Sequence, residues 1–306
     1  MPGSVVIWGE LLWDRFLDED RLGGAPANVA WHLGQAGEPA RLVTRVGNDE
    51  LGHRALAGVG DLVDTSLVQV DSERATGEVT VSLVEGEPRY VLHAGRAWER
   101  IACTADASRA LAEAAWFVYG TLAQRTLEGL DGWSAAVASA SGATKVCDVN
   151  LRKTWKPDGA IAPHAAELEA IWLAIEAADI VKVNDTELAV LSSWADWSDG
   201  IESLRTRGRP KKLVLLTHGA RGSTLFGDGK PLAVAGFPAR AGGDNVGCGD
   251  AFLALLLHGL RTGCELEGAA RVASRWAAEV ASVRGATPRF SPDLVARLLA
   301  PTGERE

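Results

Sequence analysis

The sequence predicts an α/β protein with a mostly parallel central sheet and helices on both faces, a three-layer α/β/α arrangement. Three observations lead there. Short apolar runs of the fully buried strand type alternate with longer amphipathic stretches along most of the chain. One region near residues 78–93 breaks this rhythm and alternates apolar with polar residues, as a hairpin does. Two glycine-rich segments each open a helical run, the place where open α/β sheets gather ligands.

Ser4–Gly9 reads as the opening strand and Pro26–Gln35 as a helix with proline in its first turn, where the ring's fixed φ suits the helix. Arg41–Val46 predicts a strand and Glu50–Val59 a helix. Glu78–Val84 and Arg89–His93 flank the turn Glu85-Gly86-Glu87-Pro88. With Leu11–Leu22 they predict a small extra sheet, formed by about residues 11–22 and 77–94. Such a sheet would cover a ligand site as a lid, or pair with a second copy of the chain into a homodimer. Ala115–Gly120, Lys145–Val149, Ile180–Val183 and Leu213–Thr217 are strands covered on both faces. Helical stretches separate them at Arg125–Ala140, Pro163–Ala177, Asp185–Leu191 and Ile201–Arg207. A hairpin over Ser223–Ala235 follows, then helices at Asp250–Thr262, Glu265–Val283 and Pro292–Leu299.

The 306 residues read as a single domain, and 47% apolar with 23% charged residues supports a large buried core. The net charge of -9 argues against a nucleic-acid partner, which needs a basic footprint. No apolar run has membrane-spanning length and no basic signal segment opens the chain, so the expectation is a cytoplasmic protein without a membrane partner. Cys103, Cys147, Cys248 and Cys264 show no CxxC spacing and read as free thiols.

The segment Gly242-Gly243-Asp244-Asn245-Val246-Gly247-Cys248-Gly249-Asp250 runs directly into an apolar helix. Its glycines expose consecutive N–H groups at the helix start, where an anion docks. Asp250 in that first turn supplies a carboxylate, so an anion site and a general base share one turn. Cys248 either reacts as a thiolate favoured by the helix N-terminus or fills a small-residue position.

Gly23-Gly24-Ala25-Pro26-Ala27-Asn28 would let a polar ligand approach the backbone, with Asn28 as donor and acceptor and Asp14 able to hold two hydroxyls. Equally, Asn28 reads as a local cap and Asp14 as a solvated loop residue. Asn184 and Glu187 have capping-box spacing, and the same place at a strand end would suit Mg²⁺ held through water. Thr217-His218-Gly219-Ala220-Arg221-Gly222 reads as a turn or as a contact for nucleotide phosphates, with His218 a packing residue rather than a base. A P-loop is absent, and no G-x-G-x-x-G follows the first strand. Trp31, Trp116, Trp133, Trp172 and Trp276 fall within predicted elements as packing residues; Trp13 and Trp98 flank the small-sheet segments and would line a sugar pocket.

Taken in order, these segments resemble the ribokinase-like carbohydrate kinases of the phosphofructokinase B type, most of all the bacterial fructokinases. Gly9-Glu10…Asp14 resembles the opening strand, Gly23 to Ala30 the first signature, and Val46-Gly47-Asn48-Asp49-Glu50-Leu51-Gly52 the "VGxDxxG" stretch. Asp148-Val149-Asn150-Leu151-Arg152 is similar to "DxNxR", Lys182…Asn184…Glu187 to the Mg²⁺-associated motif, and Asp244 to Asp250 to the second signature. Asn245 and Cys248 replace the usual threonine and alanine of "DTxGAGD".

The resemblance implies ATP-dependent transfer of the γ-phosphoryl group to a sugar hydroxyl. It makes Asp250 the base, with the N–H groups of Gly247, Cys248 and Gly249 as the anion hole. It gives Asn184 and Glu187 to Mg²⁺ and its waters, and Thr217, Gly219 and Gly222 to ATP. Asp14, Gly24, Asn28 and Arg152 would hold the sugar, and Asp244 a monovalent cation such as K⁺. No residue on Glu265–Val283 stands out as an adenine contact. The expected acceptor is fructose or another ketohexose. Rival readings keep the fold with a nucleoside, a sugar acid such as 2-keto-3-deoxygluconate or a vitamin precursor as acceptor, or make the chain a catalytically silent sugar-binding regulator.

Overall fold

In chain order the computed structural model contains β1 (Ser4–Trp8), β2 (Leu12–Arg15), β3 (Asp20–Gly23), α1 (Ala25–Gln35), β4 (Arg41–Val43), β5 (Arg45–Gly47), α2 (Glu50–Val59), β6 (Gln69–Asp71), β7 (Gly77–Val84) and β8 (Glu87–Leu92). There follow α3 (Ala105–Ala112), β9 (Ala114–Tyr119), α4 (Leu127–Ser139), β10 (Thr144–Asp148), α5 (Ala165–Ala177), β11 (Ile180–Asn184), α6 (Asp185–Ala195), α7 (Gly200–Thr206), β12 (Leu213–Thr217), β13 (Gly222–Phe226), β14 (Leu232–Ala235), α8 (Cys248–Arg261), α9 (Leu266–Ala281) and α10 (Pro292–Leu299). The structure describes residues 4–38, 40–84, 87–151 and 165–301. Glu85 and Gly86 of the predicted turn, Arg152 and the predicted helix start at Pro163 lie outside them.

The apolar runs line up in one eight-stranded sheet of order β14-β13-β12-β11-β10-β9-β1-β4. All pairings from β12 through β4 are parallel, and β13 and β14 add an antiparallel edge. Successive side chains of a strand point to opposite faces. Thus Val5 and Ile7 of β1 join the core beneath α1, α8 and α9, while Val6 and Trp8 join the core on the other face with Phe117, Tyr119 and Val181. Parallel strands end on the same side, so the loops after β10, β11 and β12 gather at one sheet edge.

A separate four-stranded sheet has the order β3-β2-β7-β8. Within it β2 pairs with β7 in parallel and the other two pairings are antiparallel. The segments expected to form the small sheet do so.

Three local expectations need correction. Arg41–Val46 is not one strand: it breaks at the buried Thr44, β4 staying in the main sheet while β5 pairs with β6. Neither β6 nor α3 was expected: β6 has three residues, and α3 is alanine-rich with Leu111 as its one large apolar side chain. Helix α8 starts at Cys248 rather than at Asp250, and Asp250 lies in its first turn as expected.

Candidate active site

The start of α8 shows why glycine stands where it does. Gly247 is the N-cap, with φ +75, and a Cβ there would lie 2.5 Å from Ala286 Cβ. Only glycine accepts that backbone and that neighbour together. Among the described residues no side chain caps this end, so the first-turn N–H groups, which have no acceptor within their own helix, stay available to a ligand. Gly24 plays the matching part before α1, with φ +103 and a would-be Cβ 2.3 Å from the Glu10 carbonyl oxygen.

Helices α1 and α8 pack together, and that contact joins two distant predicted residues. Asn28 Nδ2 donates to Asp250 Oδ2 at 2.7 Å, with both residues buried. Asn28 therefore holds the carboxylate expected to act as base, a contact absent from its expected role as a sugar ligand alone. Its own Oδ1 is buried with no hydrogen-bond partner among the described residues. Asp14 lies over the same turn: a Cβ at Gly23 would come within 2.7 Å of Asp14 Oδ2. Asn28 and Asp250 are thereby in direct contact, Gly24 caps the helix that carries Asn28, and Asp14 stands beside Gly23.

Beneath the first turn of α8 is a buried ion pair. Lys182 Nζ donates to Asp148 Oδ1 at 2.8 Å and Oδ2 at 2.9 Å. A Cβ on Gly249 would stand 3.1 Å from that Nζ, so the bare glycine leaves room for the ammonium beside the first turn of α8. Burial disfavours charge on Lys182, but Asp148, Glu187 and Asp250 outweigh it and hold its pKa above the ordinary lysine value. At the level of sequence Lys182 enters only within the stretch resembling the Mg²⁺-associated motif, with no contact of its own; the signal was a charged residue inside the buried run Ile180–Val183.

Glu187 is also buried, and its oxygens accept backbone N–H groups of Asn184 and Leu151, each at 2.9 Å. Asn184 Oδ1 accepts the Glu187 N–H in return, completing the capping box. Burial raises the Glu187 pKa, Lys182 opposes that, and Asp148 adds to it. The side chains of Asp148, Glu187 and Asp250 thus all act on the one ammonium of Lys182. No group of three or more His, Cys, Asp or Glu among the described residues is placed to cage a metal directly. This donor set fits a hydrated Mg²⁺ carried mainly by waters and phosphates, since each Glu187 oxygen keeps lone-pair capacity beyond its one amide bond.

On β12, Thr217 lies beside Asn184 in the register. A short turn, Gly219–Arg221, leads into Gly222, and a Cβ on Gly219 would meet nothing within 4 Å. That surface is open. His218 uses both ring nitrogens, on Asp185 Oδ1 at 2.7 Å and Thr224 Oγ1 at 2.9 Å, as a packing residue would. A further pocket is lined by Glu10, Pro26, Gly120, Asp148 and Asn150, at the carboxyl ends of β1, β9 and β10. Asn150 sits there with φ +38, a conformation asparagine tolerates better than most side chains.

Local packing bears on three expectations. Burial first, then Asp244 and Asp250, push the Cys248 thiol up to about 12, so it fills a small-residue position and is no thiolate. Trp13, expected to line a sugar pocket, is 7% exposed and donates to the Leu51 carbonyl, and Trp98 is fully buried with its ring against Gly77 of β7, so both are packed into the protein. Asp244 is engaged by Arg21 and by the Gly285 N–H.

The sequence matches the profile described as pfkB family carbohydrate kinase over residues 18–293. It is 29% identical over 285 residues to Fructokinase-1 of Oryza sativa subsp. japonica, covering 89% of this chain and 86% of that protein. A sugar kinase from Pyrococcus horikoshii solved in complex with ATP superposes with a TM-score of 0.82 at 25% identity, covering 97% of this chain and 100% of that one. Fructokinase with bound ATP from Xylella fastidiosa superposes with a TM-score of 0.81 at 21% identity over 94% of both chains, a likeness of fold. With its fold, its two glycine-led helix starts and a match across nearly its whole length, the chain belongs to the pfkB family of carbohydrate kinases.

Proposed function

We propose that this chain transfers the γ-phosphoryl group of ATP to a hydroxyl of a monosaccharide, with fructose or another ketohexose as acceptor. The observation that carries the reaction type is the buried Asn28–Asp250 contact beside the uncapped first turn of α8. The ketohexose reading is supported by relatives named fructokinases, such as the rice protein at 29% identity.

Asp250 accepts the acceptor hydroxyl's proton as that oxygen becomes the nucleophile. Asn28 keeps the carboxylate aimed through its amide and offers its remaining oxygen to a neighbouring sugar hydroxyl. Asp14 and the Gly24 backbone complete the sugar contacts. The N–H groups of Gly247, Cys248 and Gly249 stabilise the charge on the transferring group, and Lys182 strengthens that field from below. A single donor of this kind is worth about 3 kcal/mol in the transition state. Mg²⁺, when bound with the nucleotide, neutralises phosphate charge; Asn184 and Glu187 would hold its waters. Thr217, Gly219 and Gly222 border the phosphates on the open side of β12. The small sheet acts as a lid over the sugar, excluding water that would otherwise take the phosphoryl group.

The test is an acceptor panel with coupled detection of ADP. Fructose or another ketohexose should give the highest kcat/KM. Turnover confined to nucleosides, sugar acids or vitamin precursors would overturn the acceptor, and no ADP from any acceptor, with sugar-induced thermal stabilisation retained, would return the silent regulator.

A further inference from the structure

Asp244 was expected, from the family resemblance, to ligate a monovalent cation, and its surroundings do not fit one. Its Oδ2 accepts from Arg21 Nη1 at 3.2 Å and from the Gly285 N–H at 3.1 Å. Its Oδ1 accepts the Val246 N–H at 3.1 Å and lies 3.3 Å from the Gly285 nitrogen. The carboxylate thus spans two loops that are already in contact, since Asp244 N–H donates to Val283 O and Gly247 packs on Ala286. A guanidinium covers the junction.

Arg21 comes from β3 of the small sheet, 223 residues away in sequence. It is held on its other side by Glu19 and lies 4.6 Å over the Phe16 ring. Its Cδ would be 3.7 Å from a Cβ on Gly285, so the stem lies along that loop. The Arg21 and Asp244 side chains are only 21% and 29% exposed. A pair this sheltered keeps more of its attraction than a surface bridge does. A second cation at Asp244 would face the guanidinium's charge and compete for oxygens already in use.

We propose that Arg21 is the built-in cation of the Asp244 loop, setting the first turn of α8 from the small sheet and freeing phosphoryl transfer from any requirement for K⁺. Arg21 is a positioning residue, acting on the anion hole through Asp244. The proposal rests on the sugar-kinase reading for its rate consequence, but not for the binding consequence, which the free protein displays.

The experiment compares K⁺ with tetramethylammonium at equal concentration, so that screening is the same in both. Wild-type protein should show the same kcat and the same melting temperature in either salt. Arg21→Ala should lose kcat on the order of tenfold in tetramethylammonium, as expected when a reacting group is misplaced by a small distance. It should recover activity with K⁺ or with millimolar guanidinium, and should gain a K⁺-specific rise in melting temperature without substrate. Arg21→Lys, which keeps the charge, should stay close to wild type in both salts. K⁺ activation or K⁺-specific stabilisation of the wild type would overturn the proposal, and that measurement stands even if Arg21→Ala fails to fold. An Arg21→Ala protein with wild-type kcat in tetramethylammonium would overturn it too. Absence of turnover in every salt and with every acceptor would instead count against the kinase reading, leaving the melting comparison to decide the fate of Arg21.

Discussion

His32 should make the protein lose stability between neutral pH and pH 5. It lies on α1 with no exposed surface, and both ring nitrogens are in use. Nδ1 accepts from Trp276 Nε1 at 3.2 Å, which leaves Nε2 to donate to the Ala286 carbonyl at 2.9 Å. That arrangement requires the neutral ring. Burial lowers its pKa from 6.5 to about 4, the Ala286 bond offsetting only part. A group with a depressed folded pKa contributes stability that is intact above its unfolded value and is lost as pH falls toward the folded one. The window is therefore 6.5 down to about 4. At pH 5 the unfolded chain has gained a proton that the folded one refuses, a gap of about 1.5 pKa units or roughly 2 kcal/mol. The assay is urea unfolding of wild type and His32→Gln at pH 7 and pH 5. Subtracting the two proteins removes carboxylates titrating in the same window. Wild type should lose about 2 kcal/mol more than the variant between the two pH values. Equal losses would refute the buried neutral ring, and with it the support that Ala286 gives to the back of Gly247.

Other consequences follow from the same contacts. Gly247→Ala should cost about 1–2 kcal/mol of stability from the left-handed backbone alone, and more from the 2.5 Å approach to Ala286, with kcat falling more than KM rises. Lys182→Met leaves the buried Asp148 carboxylate unpaired and should lower stability by about 3–5 kcal/mol, partly restored when Asp148→Asn is added, as urea titrations of the single and double variants would read. Cys248, its thiol raised by burial and by Asp244 and Asp250, should resist iodoacetamide at neutral pH while the exposed Cys264 reacts, a difference that mass spectrometry of the labelled protein resolves.

The layers of this fold are legible in the sequence because strands covered on both faces are apolar along nearly their whole length. Ile180–Val183 and Leu213–Thr217 announce themselves in this way. The break at Thr44 is not legible, because Arg41–Val46 remains β-like across it and only the competing partner β6 decides which sheet each half joins. The parallel pairing of β2 with β7 carries no local signal either, since no turn connects them. The glycine-led helix starts mark where the site lies, yet the contacts within it come from far apart: Asn28 reaches Asp250 across 222 residues, and Lys182 reaches Asp148 across 34. Spacing cannot show that an amide chosen as a sugar ligand gives its donor to Asp250. Nor can it show that an arginine from the small sheet stands where a free cation was expected.

Substituting Asp250 by Asn gives the most direct test of the chemistry, because it removes proton acceptance while keeping size and an oxygen for Asn28 to hold. Sugar affinity by calorimetry should be nearly unchanged, and ATP-dependent phosphorylation should fall by about 10²–10⁴-fold. Turnover at the parent rate, with sugar bound as before, would show that another group takes the proton and that the site has been assigned around the wrong carboxylate.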